Sequence, residues 1–245
     1  MNTVLFDLDG TLLPMDLKEF NKNYKKTLAE FFEGKGYDSE LMLKAFNSGI
    51  KAMFENDGFI TNEEFFWKVI EKVYFHRDKK ITARERLKLE RAINKYYKTD
   101  FSITRFNTRP TSMAKDCIDK LKNKGYQIVI AANPLYPECA ITECLNWAGI
   151  DEQDYIYVTT YENSCFTKPN LNYYRRLLKT IDKDPEDCIM VGNNVHEDMC
   201  AFKLGIDVFL LDGCLINEYN EDTLEYKRGG WREFCQFVDE LPAVD

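Results

Sequence analysis

The chain has 245 residues, 44% of them hydrophobic and 30% charged, which is enough apolar material for one α/β domain plus a smaller module and too much for a disordered chain. Its formal net charge of −8 argues against a broad nucleic-acid or anionic-membrane surface, because such partners require a basic face to displace counterions. A small phosphorylated molecule stays compatible, since one metal ion and one lysine can make a local positive site inside an acidic protein. No apolar run approaches the ~20 residues that cross a bilayer, and Met1 leads into Val4-Leu5-Phe6 without a basic leader, so a cytoplasmic protein is expected. All eight cysteines lie after residue 116 with no C-x-x-C pair; reduced, mostly buried thiols are expected rather than a disulfide or a zinc site.

In chain order, Val4-Leu5-Phe6 is a short apolar run that stops in Asp7-Leu8-Asp9-Gly10-Thr11, as a buried parallel strand does at its carboxyl end. From about residue 15 to 100 the pattern is helical. Asp16 and Glu19, Thr61 and Glu64, and Thr82 and Glu85 have capping-box spacing before stretches with apolar residues three and four apart. The aromatics there, Phe54, Phe59, Phe65, Phe66, Trp67, Tyr74 and Phe75, fit the core of a small helical module better than a ligand box.

After Pro110 helices and strands alternate. Ser112 starts a helix that ends at Gly125, Gln127 to Ala131 is a strand, Pro137 to Ala148 a helix closed by Gly149, and Tyr155 to Thr159 a strand. A helix follows Pro169; Cys188 to Val191 is a strand, Glu197 to Leu204 a helix, and Val208 to Leu211 a strand, with a turn or two of helix near Trp231 to Val238. This alternation predicts a doubly wound parallel sheet of the α/β class. Such sheets bind ligands outside the carboxyl ends of their strands. Those ends carry Asp7 and Asp9, Asn133, Lys168, and Gly192-Asn193-Asn194 with Asp198. His196 and His76 have no spacing partner and read as surface or loop residues, and Trp147 reads as core.

Phe6-Asp7-Leu8-Asp9-Gly10-Thr11-Leu12 resembles the first motif of the haloacid dehalogenase superfamily, Lys168-Pro169 its third motif and Gly192 to Asp198 its fourth. The resemblance implies a Rossmann-like core over residues 1–14 and 105–245 and a helical cap of the first type over 15–104. It implies a Mg²⁺-dependent hydrolase acting on a small phosphorylated metabolite through an aspartyl-phosphate. Asp7 would be the nucleophile and a metal ligand; Asp9 would be the general acid/base and lend its carbonyl to the metal. Lys168 would offset charge, Thr11, Asn133 and Lys168 would contact phosphate, and Asn193 and Asp198 would complete the metal surroundings. The residues agree with this chemistry, because phosphoryl transfer needs an in-line nucleophile, neutralised oxygens and a proton donor for the leaving group.

Two positions depart from the family pattern. Ala132 stands where the second motif has Ser or Thr, and Asn193 where the fourth has Asp, so a phosphate donor is missing and the metal meets a neutral oxygen. The alternatives are a phosphosugar mutase-like enzyme, a dehalogenase, which Asp9 disfavours, and a non-catalytic binding protein of the same fold.

Overall fold

The computed structural model describes residues 1–75 and 82–244; His76 lies outside them. Six parallel strands form one sheet: β1 (Thr3–Phe6), β2 (Gln127–Ile130), β3 (Tyr157–Val158), β4 (Cys188–Gly192), β5 (Asp207–Leu211) and β6 (Lys227–Gly229), in the order β3-β2-β1-β4-β5-β6. The chain winds outward from β1 through β2 to β3, then returns to lay β4 on the other side of β1. The strand order therefore reverses at β1, the position that opens a crevice at the carboxyl ends.

Both faces of the sheet are covered, so the strands are apolar throughout and successive residues serve opposite cores. Val4, Phe6, Ile128, Ile130, Ile189 and Val191 belong to one core cluster. Their neighbours Leu5, Val129 and Met190 belong to the other, with Tyr173, Tyr174, Leu177 and Leu178 from α7 (Leu171–Ile181). The first face is covered by α5 (Ser112–Asn123), α6 (Glu138–Ala148) and α8 (Trp231–Glu240). Phe6 packs on Phe234 with ring centres 5.7 Å apart. Gly149 closes α6 with a φ of 75°, a left-handed cap that glycine takes without steric cost.

Between β1 and α5 lie α1 (Leu17–Glu33), α2 (Ser39–Met53), α3 (Asn62–Tyr74) and α4 (Ala83–Lys98), then a 3-10 helix over Asp100–Asn107. Thr61 with Glu64 and Thr82 with Glu85 form full reciprocal capping boxes. Asp16 caps α1 by accepting from the amides of Lys18 and Glu19, both at 3.1 Å. A tyrosine cluster fastens the first and last of these helices: the hydroxyls of Tyr24 and Tyr97 meet at 2.7 Å and Thr27 meets Tyr96 at 2.8 Å. The block is anchored on the strand-end loops through Asn62, whose amide donates to the Pro134 carbonyl at 3.1 Å and whose backbone N–H donates to Ser164 at 2.7 Å.

Four expectations are corrected. Cys117 and Cys235 form a disulfide, Cα to Cα 5.8 Å, because α5 and α8 lie side by side. Lys124 from the end of α5 donates to the carbonyls of Val238, Asp239 and Leu241 at the end of α8. A separation of 118 residues left no local spacing to read; the other six cysteines are free. Met199–Leu204 is a 3-10 helix rather than an α-helix, and β6 was unforeseen. Of the aromatic stripe, Phe66 and Trp67 are buried whereas Phe54 and Phe59 are 44% and 89% exposed. Trp147 is core, stacked on Phe101, and His196 is a loop residue paired with Glu221 at 2.8 Å. Among the described residues no helix is long and apolar enough to cross a membrane.

Candidate active site

The carboxyl end of β1 sits between β2 and β4, and the chain leaving it turns at once. Leu13 N–H donates to Leu8 at 2.9 Å, and Gly10 N–H to Leu13 at 2.9 Å. Gly10 has a φ of 89°, and a β-carbon there would collide with the side-chain amide of Asn193, so conformation and space both require glycine. The turn holds Asp7 and Asp9 over a cavity of about 150 Å³ that Ala132, Asn133, Tyr136, Asn193, Glu197 and Asp198 also line.

Lys168 ends the loop that follows β3 and is fully buried. Its ammonium donates to Asp7 Oδ1 at 2.8 Å and to Asp198 Oδ1 at 2.6 Å, which fixes both carboxylates by charge-assisted hydrogen bonds. Burial opposes the charge on Lys168, yet Asp198 and Asp7 together hold its pKa well above the ordinary lysine value. Asp198 is itself pinned from the other side, because Oδ2 accepts from the Asn194 N–H at 3.0 Å. A β-carbon at Gly192 would strike that same carboxylate.

Asp9 is in a different condition. Its Oδ1 is buried without a hydrogen-bond partner, and its pKa is pushed up to about 7, by burial first and then by the charge of Asp7, with Lys168 pulling the other way. A carboxyl so placed carries its proton near neutral pH and can both donate and recover one, the property a general acid/base requires.

The remaining sequence candidates have structural partners. Thr11 is buried, and its hydroxyl donates to Asn193 Oδ1 at 2.9 Å, which holds the loop; it is not among the residues that line the cavity. The Asn193 amide donates to the Cys214 carbonyl at 2.6 Å, so the side chain joins three loops. Asn133 Oδ1 accepts from the Lys168 N–H at 3.2 Å, and its amide donates to Glu197 Oε2 at 3.0 Å. Glu197 lines the cavity as well, although in the sequence it stands as a helix start, and its place beside Asp198 is the one signal of this role. Burial raises its pKa, with Lys168 and the Asn133 hydrogen bond opposing. Leu17, Phe20 and Asn21 of α1 close the cavity from above, and only their period in the helix was legible.

Among the described residues no three carboxylate, imidazole or thiolate side chains converge as a metal-ligand set. The donor chemistry nevertheless fits one hard divalent cation. Asp7 supplies a carboxylate, Asp9 leaves a buried oxygen unpartnered, and Asn193, whose side-chain oxygen accepts from Thr11, lines the same cavity. Mg²⁺ takes one or two carboxylates and completes its octahedron with water and substrate phosphate.

A parallel α/β sheet whose reversal point carries an acid–lysine–acid centre under a helical cover defines an enzyme of the doubly wound class. The family model for haloacid dehalogenase-like hydrolases matches residues 1–204, and the chain belongs to that family. It is 25% identical over 226 residues to the glyceraldehyde 3-phosphate phosphatase of Methanothermobacter thermautotrophicus, covering 92% of this chain and 91% of that one. A second similarity, 26% over 137 residues, is to a ribulose-phosphate 3-epimerase of Buchnera aphidicola; it covers 53% of this chain and spans only 58% of the epimerase's length. Among solved structures, a HAD phosphatase from Thermococcus onnurineus superposes with a TM-score of 0.58 over the whole of both chains at 16% identity.

Proposed function

We propose that the chain is a Mg²⁺-dependent phosphomonoesterase acting on a small phosphorylated metabolite, with Asp7 as nucleophile and Asp9 as general acid/base. The observation that carries this reading is the contrast between the two acids: Asp7 accepts a charge-assisted hydrogen bond from the buried Lys168 ammonium, whereas Asp9 keeps a buried oxygen with no partner and has its pKa pushed up to about 7. The similarity to a glyceraldehyde 3-phosphate phosphatase along nearly the full chain supports a phosphorylated small substrate. Asp7, the Asp9 carbonyl and Asn193 would hold Mg²⁺, which would neutralise phosphoryl oxygens when bound. Asp7 Oδ1 is oriented by Lys168, so the carboxylate attacks phosphorus in line. Asp9 gives its proton to the departing alcohol, and as a carboxylate it then takes one from the water that frees Asp7. Residues 15–104 act as the cap: α1 sets Leu17, Phe20 and Asn21 over the acids and limits water access.

Phosphate release from a panel of phosphorylated metabolites with Mg²⁺ tests this. Activity that vanishes in Asp7→Asn is expected, and undiminished release in that variant contradicts it. A phosphate-binding protein without turnover is the second reading; the committed side chain of Asn193 and the missing hydroxyl at Ala132 favour it.

A further inference from the structure

The charges around the cavity are specific about the rest of the substrate. Lys168 is fully buried and already bonded to Asp7 and Asp198 before any ligand arrives, so its charge is matched. A divalent cation at Asp7 would be matched by the phosphoryl dianion it serves. The rest of the lining, which a leaving group would meet, comprises Glu197, Asn21, Asn194 and Tyr136 together with Leu17 and Phe20.

Glu197 is tied to this wall by its side chain and its backbone. Its Oε2 accepts from Asn133 at 3.0 Å, and its carbonyl accepts from the Tyr174 hydroxyl at 2.8 Å. In the wider cavity outside, Lys18 is the cation among the described lining residues, and it shares that rim with Asp16 and Glu218. A carboxylate or second phosphate on the substrate would sit against Glu197 in a cavity whose described lining holds no lysine or arginine, whereas a hydroxyl or an ammonium would donate to it.

We propose that this site selects phosphomonoesters whose alcohol is neutral or cationic, carrying hydroxyls or an amine, and rejects those carrying a carboxylate or a second phosphate, with Glu197 as the residue that enforces the choice. The proposal rests on the hydrolase reading above and narrows it.

The test compares glycerol 3-phosphate with 3-phosphoglycerate, two substrates that differ in a terminal CH₂OH against a carboxylate, on the Mg²⁺-loaded protein. The expected kcat/KM ratio is about tenfold or more in favour of the alcohol, as for a like charge a few ångströms away in a partly buried site. Glu197→Gln should narrow that ratio by raising turnover of the carboxylate substrate. Equal or reversed preference, or a ratio that Glu197→Gln leaves untouched, overturns the proposal. If neither compound is hydrolysed, nor p-nitrophenyl phosphate, the hydrolase reading fails separately. Isothermal titration of the same two compounds then decides the selectivity: tighter binding of glycerol 3-phosphate upholds it and equal or weaker binding overturns it.

Discussion

The loops that leave β1 and β4 are neighbours at the same sheet edge and are both rich in polar groups, yet they are built to different ends. At β4 the polar atoms are committed. Asn193 is held by Thr11 and Cys214, Asp198 by Lys168 and the Asn194 N–H. At β1 one acid is anchored on a single oxygen by Lys168, and the other keeps a buried oxygen with no partner. Buried polar groups are almost always satisfied; among the described residues Asp9 Oδ1 and Trp67 Nε1 are the buried side-chain atoms without a partner, and of the two only Asp9 lines the cavity. On the proposed mechanism the β1 loop carries the reacting groups and bears the energetic cost, and the β4 loop orders the site around them.

The largest expected effect removes the link between the two loops. Lys168→Met would leave Asp7 and Asp198 buried with no counter-charge, at a cost of about 3–5 kcal/mol, visible as a large drop in the denaturation midpoint. A midpoint within error of wild type would break the comparison, since Lys168 would then not be the joint.

Asp9→Asn separates the loops by sign. Activity should fall by roughly 10²–10⁴-fold, the usual contribution of general acid/base catalysis, while stability should rise. The folded pKa is raised to about 7 from the ordinary aspartate value of 3.8. Above pH 4 the unfolded chain therefore gives up this proton while the folded chain keeps it, and wild-type stability falls with rising pH until about 7. Melting both proteins in chelator from pH 4 to 8 should show the variant gaining on wild type by a few kcal/mol across that range. Parallel curves would mean that Asp9 is not strained by its burial. The rate in wild type should likewise decline above about pH 7, where Asp9 loses its proton.

Asn193→Asp reports on the scaffold loop. The change deletes the donor to the Cys214 carbonyl and sets a carboxylate against that oxygen, so a loss of about 1–3 kcal/mol is expected, read from chemical denaturation. A variant as stable as wild type whose activity saturates at lower Mg²⁺ would instead make residue 193 a metal ligand first and a scaffold group second. Ala132→Ser has the smallest effect. A hydroxyl at this cavity-lining position adds one phosphate donor, worth about 0.5–1.5 kcal/mol in kcat/KM; a marked loss would show that alanine is required for packing.

The contrast between the two loops explains what the sequence could and could not reveal. Strands buried on both faces announce themselves as apolar runs, so β1, β2, β4 and β5 were legible, as were helices with side-chain caps such as Thr61 and Thr82. The three-residue β6, Lys-Arg-Gly, has no apolar signature and exists because β5 offers a parallel edge. The Cys117 to Cys235 disulfide depends on how α5 and α8 pack and was hidden for the same reason. At the site, residue types were readable and their commitments were not. The hydrogen bonds that tie Asn193 to Thr11 and to Cys214 join loops far apart in sequence, so no local spacing announces them. Glu197 escaped notice because a single acid at a helix start is ordinary, and only the fold turns it toward the cavity.

The central claim is that Asp7 attacks phosphorus while Asp9 handles protons, and rapid quenching during turnover followed by peptide mass analysis tests it most directly. A phosphoryl group should appear on the peptide containing Asp7, be absent in Asp7→Asn, and both form and decay more slowly in Asp9→Asn, where both proton transfers are impaired. Phosphate release that proceeds with no phosphorylated Asp7 peptide, or that survives in Asp7→Asn, would contradict the account.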